Sequence, residues 1–99
     1  MSKRHPSIDP VHPGEILRED VFPALRLTKP ALAEALGISR QTLHELFTLK
    51  RAVTPEMALR LEAVVGSTAE TWLTLQAECD LWTARRSGKL KGLKRVGVV

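Results

Sequence analysis

The sequence predicts an all-α fold built from five helices. Apolar residues recur at helical spacing in five segments, and no convincing strand pattern lies between them. Capping residues and prolines stand where helices should begin. The clearest case is Thr54-Pro55-Glu56, in which a hydroxyl cap precedes a proline and an acidic residue. Ninety-nine residues are enough for one domain with one modest core.

Residues 28–46 organise the rest of the chain, because they predict two short helices joined by a tight turn. Thr28 can cap the first helix, Gly37 supplies a left-handed turn position, and Ser39 can cap the second. The residues expected to face inward are Leu32, Ala33, Leu36, Leu43 and Leu46. This layout is typical of a DNA-binding helix-turn-helix, in which the second helix enters the major groove. An ordinary pair of antiparallel helices is the alternative.

The second helix of this pair carries a polar outer surface. Arg40 and Gln41 are the best candidates for base contacts, because arginine matches the acceptors of guanine and glutamine matches the donor and acceptor of adenine. Thr42 and His44 are candidates for secondary base contacts. Solvent-facing polar surface is the alternative for these side chains. Glu45 is expected to pair locally or to exclude wrong bases.

Candidate phosphate contacts flank the same helix. Ser39 can bind a phosphate through the helix N-terminus that it caps. Lys50 and Arg51 lie in the predicted connection Phe47 to Ala52, just past the helix, where cations position a protein on DNA without reading its sequence. Solvated loop charge is the alternative for this pair.

The other helices follow from similar signals. The first should start at His12-Pro13-Gly14-Glu15 and be limited or distorted near its end by Pro23, after an extended lead-in over residues 1–11. Its expected inward residues are Ile16, Leu17, Val21 and Leu25, and its solvated residues are Arg18, Glu19 and Asp20. The fourth should bury Met57, Ala58, Leu61 and Val65 and end at Gly66, and Ser67 to Glu70 has capping-box spacing for the fifth.

The fifth helix, from Thr68 to about Arg86, carries two apolar stripes on nearly opposite sides. The first stripe consists of Trp72, Leu75, Cys79 and Trp82, and the second of Ala69, Leu73, Ala77, Leu81 and Ala84. Because a surface helix of a monomer needs only one such stripe, the second suggests a dimer or partner interface. The alternative is a central helix covered by the N-terminal arm.

The positive charge is concentrated at the end of the chain. Residues 1–84 carry a net charge of −2, whereas residues 85–99 hold six basic residues and no acidic one. We therefore expect a domain over residues 1–86 and a flexible basic tail over residues 87–99. Solvated disorder is the default for this tail. The functional alternative is that Lys89, Lys91, Lys94 and Arg95 contact phosphates.

Catalysis is not expected. His5, His12 and His44 have no metal-ligand spacing with one another or with Cys79, and no glycine-rich phosphate loop is present. No cofactor or metal is expected either. A single cysteine cannot form an internal disulfide, and nothing resembles a signal peptide or a bilayer-spanning segment, so the expected location is the cytoplasm.

The chain resembles the HigA/VapI-type antitoxins, which belong to the Cro/C1-like (XRE-type) helix-turn-helix group. Four motifs carry this resemblance in order: HPGEILRE at residues 12–19, LGISRQTL at 36–43, TPEMALRL at 54–61, and TWL with LQ at 71–76. The resemblance implies a five-helix repressor-like domain. It also implies an antitoxin that neutralises a ribonuclease toxin of the HigB/RelE type and, as a homodimer, represses its own operon by binding a palindromic operator in double-stranded DNA.

Two positions depart from the family pattern. Lys29 stands where relatives often have a glutamine that touches a phosphate, and it could make that contact as a cation. Thr48-Leu49 stands where the family usually has a turn such as Asn-Gly. Leucine adopts a left-handed turn less readily than glycine, which leaves the end of this helix and the placement of Lys50 and Arg51 open.

Two other functions are compatible with the sequence. The chain could be a free-standing repressor without a toxin, or a toxin-binding module with little DNA binding. The net negative charge of residues 1–84 would suit a basic toxin.

Overall fold

Five helices follow one another in the computed structural model, which describes residues 9–97. Helix α1 spans residues 13–25 and consists of an α-helical turn Pro13–Ile16, a π-helical segment Leu17–Val21 and a final turn Phe22–Leu25. It is followed by α2 (Lys29–Leu36), α3 (Arg40–Phe47), α4 (Pro55–Val64) and α5 (Ala69–Arg86). The described residues contain no strand, so the all-α prediction is confirmed.

Predictions for the two chain ends are tested only in part. Residues 95–97 of the tail form no strand, and residues 98–99 lie outside the described part. The expected extended lead-in over residues 1–11 is described only from residue 9 onward.

Side-chain hydroxyls begin the helices as the sequence predicts, with one correction. Thr28, Ser39 and Thr54 each accept a hydrogen bond from a backbone N–H in the first turn of α2, α3 and α4. Helix α5 is capped by Thr68, which accepts from the N–H of Thr71 at 3.1 Å, and not by Ser67. Ser67 has φ 61 and forms the turn between α4 and α5, so its backbone cannot adopt the extended conformation of a cap.

Helix α1 starts at Pro13 and is distorted before Pro23, as predicted. The imidazole Nδ1 of His12 accepts a hydrogen bond from the N–H of Gly14 at 2.9 Å and caps the helix. The π-helical segment ends at Val21, two residues before Pro23. This wider turn accommodates a proline, which lacks an N–H and whose ring collides with the carbonyl four residues earlier in a regular helix.

The core lies where α1, the α2–α3 pair, α4 and the start of α5 meet. Its fully buried members include Leu17, Leu32, Leu43, Leu46, Ala58 and Leu61. Phe47, predicted to begin a connecting loop, is instead the last residue of α3 and is buried against the edge of the Phe22 ring, with 5.3 Å between centroids. Its aromatic ring packs into the core, so the inward face of α3 extends one residue beyond the predicted end of the helix.

Candidate nucleic-acid interface

Helices α2 and α3 form the predicted helix-turn-helix around Gly37. This glycine has φ 71, and a Cβ added to it would lie 2.7 Å from the Arg60 guanidinium. The turn is closed by two hydrogen bonds, from the N–H of Gly37 to the carbonyl of Glu34 and from Ile38 to Ala33, both at 3.0 Å. The turn therefore requires a glycine for both its backbone conformation and its space.

The recognition surface, which we define as Arg40, Gln41, Thr42 and His44 of α3, faces outward. Arg40, Gln41 and His44 are exposed and Thr42 is half-buried. The hydroxyl of Ser39 accepts from the N–H of Thr42 at 3.0 Å and donates to the Thr42 hydroxyl at 2.9 Å. Ser39 thus fixes the first turn of the helix, while Arg40 makes no hydrogen bond or ion pair within the described residues.

Lys29 from α2 joins this surface in space. A shallow depression of about 270 Å³ separates the start of α2 from α3, and its lining is Lys29, Pro30, Arg40, Leu43 and His44. The Nζ atom of Lys29 lies 5.8 Å from the centroid of the Phe47 ring, a cation–π distance. The structure therefore places Lys29 beside the recognition surface.

Glu45 connects α3 to the loop that follows it. Its Oε1 accepts hydrogen bonds from Arg51 Nε at 2.9 Å and Nη2 at 2.5 Å, and its Oε2 accepts from Gln41 Nε2 at 3.2 Å. These hydrogen bonds, that of Arg51 above all, lower the pKa of the Glu45 carboxyl. The prediction that Glu45 pairs locally is therefore confirmed, and its partners are two of the candidate DNA contacts.

The end of α3, which the sequence left open, is a left-handed turn made by leucine. Leu49 has φ 64, and its N–H donates to the carbonyl of Leu46 at 3.2 Å. The N–H of Lys50 donates to the backbone carbonyl of Glu45 at 2.8 Å. Leu49 lies against Gly14 of α1. Leucine thus forms this left-handed turn without glycine, and the side chain of Lys50 remains exposed.

Two arginines outside α2 and α3 hold the ends of these helices. Arg18 of α1 donates from Nη1 to the carbonyl of Phe47 at 2.6 Å, and Arg60 of α4 donates from Nη1 to the carbonyls of Leu36 at 2.8 Å and Gly37 at 3.2 Å. The expectation that Arg18 stays solvated is wrong in this respect, because half of it is buried against α3. Both arginines lie inside the motifs that carry the family resemblance, and this is the sequence signal that could have identified them.

Gln76 of α5 fixes the loop after α3. Its side chain is buried, its Oε1 accepts from the N–H of Val53 at 2.8 Å, and its Nε2 donates to Asp80 at 3.0 Å. The sequence marked Gln76 only as part of a motif. The structure shows that it satisfies a buried N–H that has no partner in a helix or strand.

The predicted interface residues of α5 have different environments. Trp72 is 3% exposed and donates from its indole to the carbonyl of Gly66, so it belongs to the core of the chain itself. Cys79 contacts the carbonyl of Pro10 at 3.8 Å, so the N-terminal segment covers part of the first stripe, as the alternative expects. Leu75, Trp82 and Leu73 are half-buried, whereas Ala77 and Leu81 of the second stripe are exposed.

Other chemistry has little support in the described residues. No three His, Cys, Asp or Glu side chains in residues 9–97 are grouped to hold a metal ion. Burial raises the pKa of the Cys79 thiol, which favours the less reactive protonated form. His5 lies outside the described part. No helix within residues 9–97 combines the length and the apolar character needed to cross a membrane.

Comparison with known proteins agrees with this geometry. A helix-turn-helix family model matches residues 24–73, a stretch that contains α2, α3 and α4. Virulence-associated protein I of Dichelobacter nodosus is 40% identical over 76 residues, which cover 77% of this chain and 70% of that protein. Antitoxin HigA-1 of Vibrio cholerae is 38% identical over 76 residues, covering 77% and 71%.

The fold is also similar to that of a solved antitoxin. The structure of antitoxin GraA superposes with a TM-score of 0.83 at 35% identity, covering 91% of this chain and all of that one. GraA in complex with its operator gives a TM-score of 0.81 at 34% identity, covering 96% and 99%. The chain therefore belongs to the XRE-type helix-turn-helix family, in the group that contains the HigA and VapI-type antitoxins.

Proposed function

We propose that the chain is a sequence-specific DNA-binding antitoxin, which acts as a homodimer on a palindromic operator of its own operon and neutralises a HigB/RelE-type ribonuclease toxin. The observation that carries DNA binding is the exposed recognition surface on a short helix whose two ends are anchored by Ser39 and Arg18. The operator complex of the similar antitoxin GraA supports the same conclusion.

Base contacts come from the recognition surface in this proposal. Arg40 pairs with guanine O6 and N7, Gln41 pairs with adenine, and Thr42 and His44 make secondary contacts. Lys29, the N-terminus of α3 at Ser39, and Lys50 contact phosphates. Arg51 was predicted to do so too, and its ion pair with Glu45 must first open. Because residues 1–84 carry a net −2, these few local contacts supply most of the affinity of the domain.

The short length of the recognition helix α3 is the reason for proposing a dimer. Helix α3 has eight residues and reaches only a few base pairs, so two copies about 34–36 Å apart form the working unit. The exposed residues Ala77 and Leu81 on α5 are the part of the predicted interface that is free for a second chain. Leu81 is 50% exposed, so it offers apolar surface to a second chain.

Substitutions on the recognition surface test the mode of DNA binding. Arg40→Ala should weaken binding to the chain's own promoter by about 1–3 kcal/mol and relax specificity at one base pair. Lys50→Ala is the matched control, because a phosphate contact should weaken binding to all sequences similarly. Unchanged promoter affinity in Arg40→Ala would show that this docking is wrong.

Two experiments separate the antitoxin from the other candidates. Co-purification with the protein encoded next to this chain distinguishes an antitoxin from a free-standing repressor. A gel shift of the chain's own promoter at moderate salt distinguishes a repressor from a toxin-binding module. Binding of a basic toxin would also suit the net charge of −2 over residues 1–84. No shift would count against autoregulation.

The basic tail, residues 87–99, adds a sequence-independent contribution in its functional version. All its described residues are exposed, and Lys89, Lys91, Lys94 and Arg95 can therefore reach phosphates. Deleting residues 87–99 should then flatten the salt dependence of DNA binding, since fewer counterions are released. An unchanged slope would contradict this role.

A further inference from the structure

Glu45 occupies an unexpected position for a carboxylate on a DNA-facing helix. It lies one residue after His44 of the recognition surface, and its side chain is 28% exposed. DNA phosphates repel a carboxylate, so its presence needs a compensating role. Both of its oxygens are engaged, one by Arg51 and the other by Gln41.

The first consequence concerns the orientation of the Gln41 amide. An ionised carboxylate only accepts hydrogen bonds, so the Gln41 NH₂ group must point toward Glu45. This leaves the Gln41 carbonyl oxygen and one N–H free. Adenine requires one acceptor and one donor from a glutamine, and this is the pair that remains.

The second consequence concerns the charge of Arg51. Its Nε and Nη2 atoms both donate to the same oxygen of Glu45, so the positive charge is neutralised at the surface of α3. Contact with a phosphate would require this pair to open. Lys50, the neighbouring cation, has no such partner among residues 9–97 and stays available to phosphates.

We infer that Glu45 is a positioning residue for DNA selectivity: it orients the Gln41 amide for base contact and keeps Arg51 from sequence-independent phosphate contacts. This inference rests on the proposed DNA-binding function. It predicts that the Glu45 carboxylate both raises affinity for the operator and lowers affinity for other DNA. An uncharged side chain without these hydrogen bonds could not do both.

The test is Glu45→Gln, an isosteric change on a partly exposed side chain. Binding is measured over a salt series to a labelled fragment of the chain's own promoter and to a scrambled duplex of equal length and composition. The freed Arg51 should steepen the log K against log salt slope on scrambled DNA by about 0.9 and tighten that binding about fivefold at physiological salt. The Gln41 amide is no longer held in one orientation, since a glutamine can both donate and accept, so the promoter-to-scrambled ratio should fall about tenfold.

Glu34→Gln is the matched control. Glu34 is an exposed carboxylate on α2, within the same helix-turn-helix, and it holds no arginine in the described part of the structure. The same change of net charge should leave the promoter-to-scrambled ratio unchanged. Arg51→Ala supplies the second arm, because it should barely alter the scrambled-DNA slope in the native chain and should abolish the steeper slope in the Glu45→Gln background.

Two results would overturn the inference alone while DNA binding stands. One is a Glu45→Gln chain that keeps the native slope and ratio. The other is an Arg51→Ala substitution that flattens the native slope as much as it flattens the slope of Glu45→Gln, since Arg51 would then already be free. A native chain that does not distinguish its promoter from scrambled DNA contradicts the proposed function, and the inference with it.

Discussion

The two helices of the helix-turn-helix end in the same hydrogen-bond pattern on different residues. In α2 the left-handed position is Gly37, with φ 71, and in α3 it is Leu49, with φ 64. Each turn is closed by one bond spanning three residues and one spanning five. An arginine from a neighbouring helix then caps each end, Arg60 from α4 at α2 and Arg18 from α1 at α3.

The difference between the two ends lies in their surroundings. At Gly37 the Arg60 guanidinium, the movable end of a flexible side chain, occupies the space that a side chain would take. At Leu49 the left-handed residue keeps its side chain, and the neighbouring helix carries the glycine. This glycine is Gly14 of α1, which packs against Leu46 and Leu49. A left-handed leucine costs backbone energy, and its contact with α1 offsets part of it. Tertiary contacts therefore decide whether the glycine lies in the left-handed turn itself or on the helix that packs against the turn.

The largest expected effect is at the contact between α1 and the end of α3. A Cβ on Gly14 would overlap the backbone carbonyl oxygen of Leu46, and a backbone atom cannot move aside as a side chain can. Gly14→Ala should therefore destabilise the protein by about 3 kcal/mol, which thermal unfolding would show as a fall of well over ten degrees in Tm. A loss below about 1 kcal/mol would mean that α1 does not approach α3 this closely.

The turn of α2 should respond less. Gly37→Ala forces a left-handed conformation on alanine but collides only with the end of a flexible arginine, so we expect a loss of about 1–2 kcal/mol. Gly88→Ala is the control in chemical denaturation. Its φ of 73 is nearly the same, but it has space and lies beyond α5, where local opening relieves the strain. Equal losses would show that backbone conformation alone matters at Gly37.

The arginine cap of α3 should contribute about 1 kcal/mol. Arg18→Met keeps the aliphatic part but leaves the carbonyl of Phe47 without its hydrogen bond. Because this carbonyl ends the recognition helix, promoter affinity should fall further than stability accounts for. Arg60→Met is the matched variant at α2, and it should cost similar stability with a smaller effect on promoter binding. An equal effect of both variants on DNA would contradict a special role for the end of α3.

Leu49→Gly should be nearly neutral for stability. Glycine removes the left-handed strain of about 1–2 kcal/mol but loses the contact with Gly14 and gains entropy in the unfolded chain. Urea unfolding of Leu49→Gly beside Leu49→Ala, which keeps the strain and loses the contact, would separate these contributions. If Leu49→Ala is as stable as Leu49→Gly, the strain at this position is no larger than the stability that glycine loses through its entropy in the unfolded chain.

The smallest effect concerns pH and the cap of α1. Burial lowers the pKa of His12 below its usual 6.5, against the opposing charges of Asp80 and Glu15. The capping Nδ1 must be unprotonated to accept a hydrogen bond from the N–H of Gly14. The stabilisation is therefore complete above pH 6.5 and is lost as pH falls through the lower pKa of the folded protein. His12→Asn keeps a capping acceptor that does not titrate, so its Tm should fall less between pH 7 and pH 5. Parallel pH profiles would show that His12 does not titrate with folding.

Local patterns in the sequence were enough to predict the helices and the exposed surface. Hydroxyl caps, prolines and apolar spacing are local signals, and they placed α2, α3 and α4 and identified Arg40, Gln41 and His44 as outward-facing residues of α3. Thr68 was missed as the cap of α5 because Ser67 fits the same pattern and only the backbone conformation distinguishes them.

The hydrogen bonds that hold the ends of α2 and α3 could not be predicted from local sequence patterns. Arg18 and Phe47 are 29 positions apart, Arg60 and Leu36 are 24, and Gln76 and Val53 are 23, and no local pattern pairs residues at such distances. The pairing of Arg51 with Glu45, six residues apart, needed the left-handed turn at Leu49 to bring the loop back to the helix. A long side chain chooses among all the acceptors within its reach, and that choice exists only after the backbones have packed.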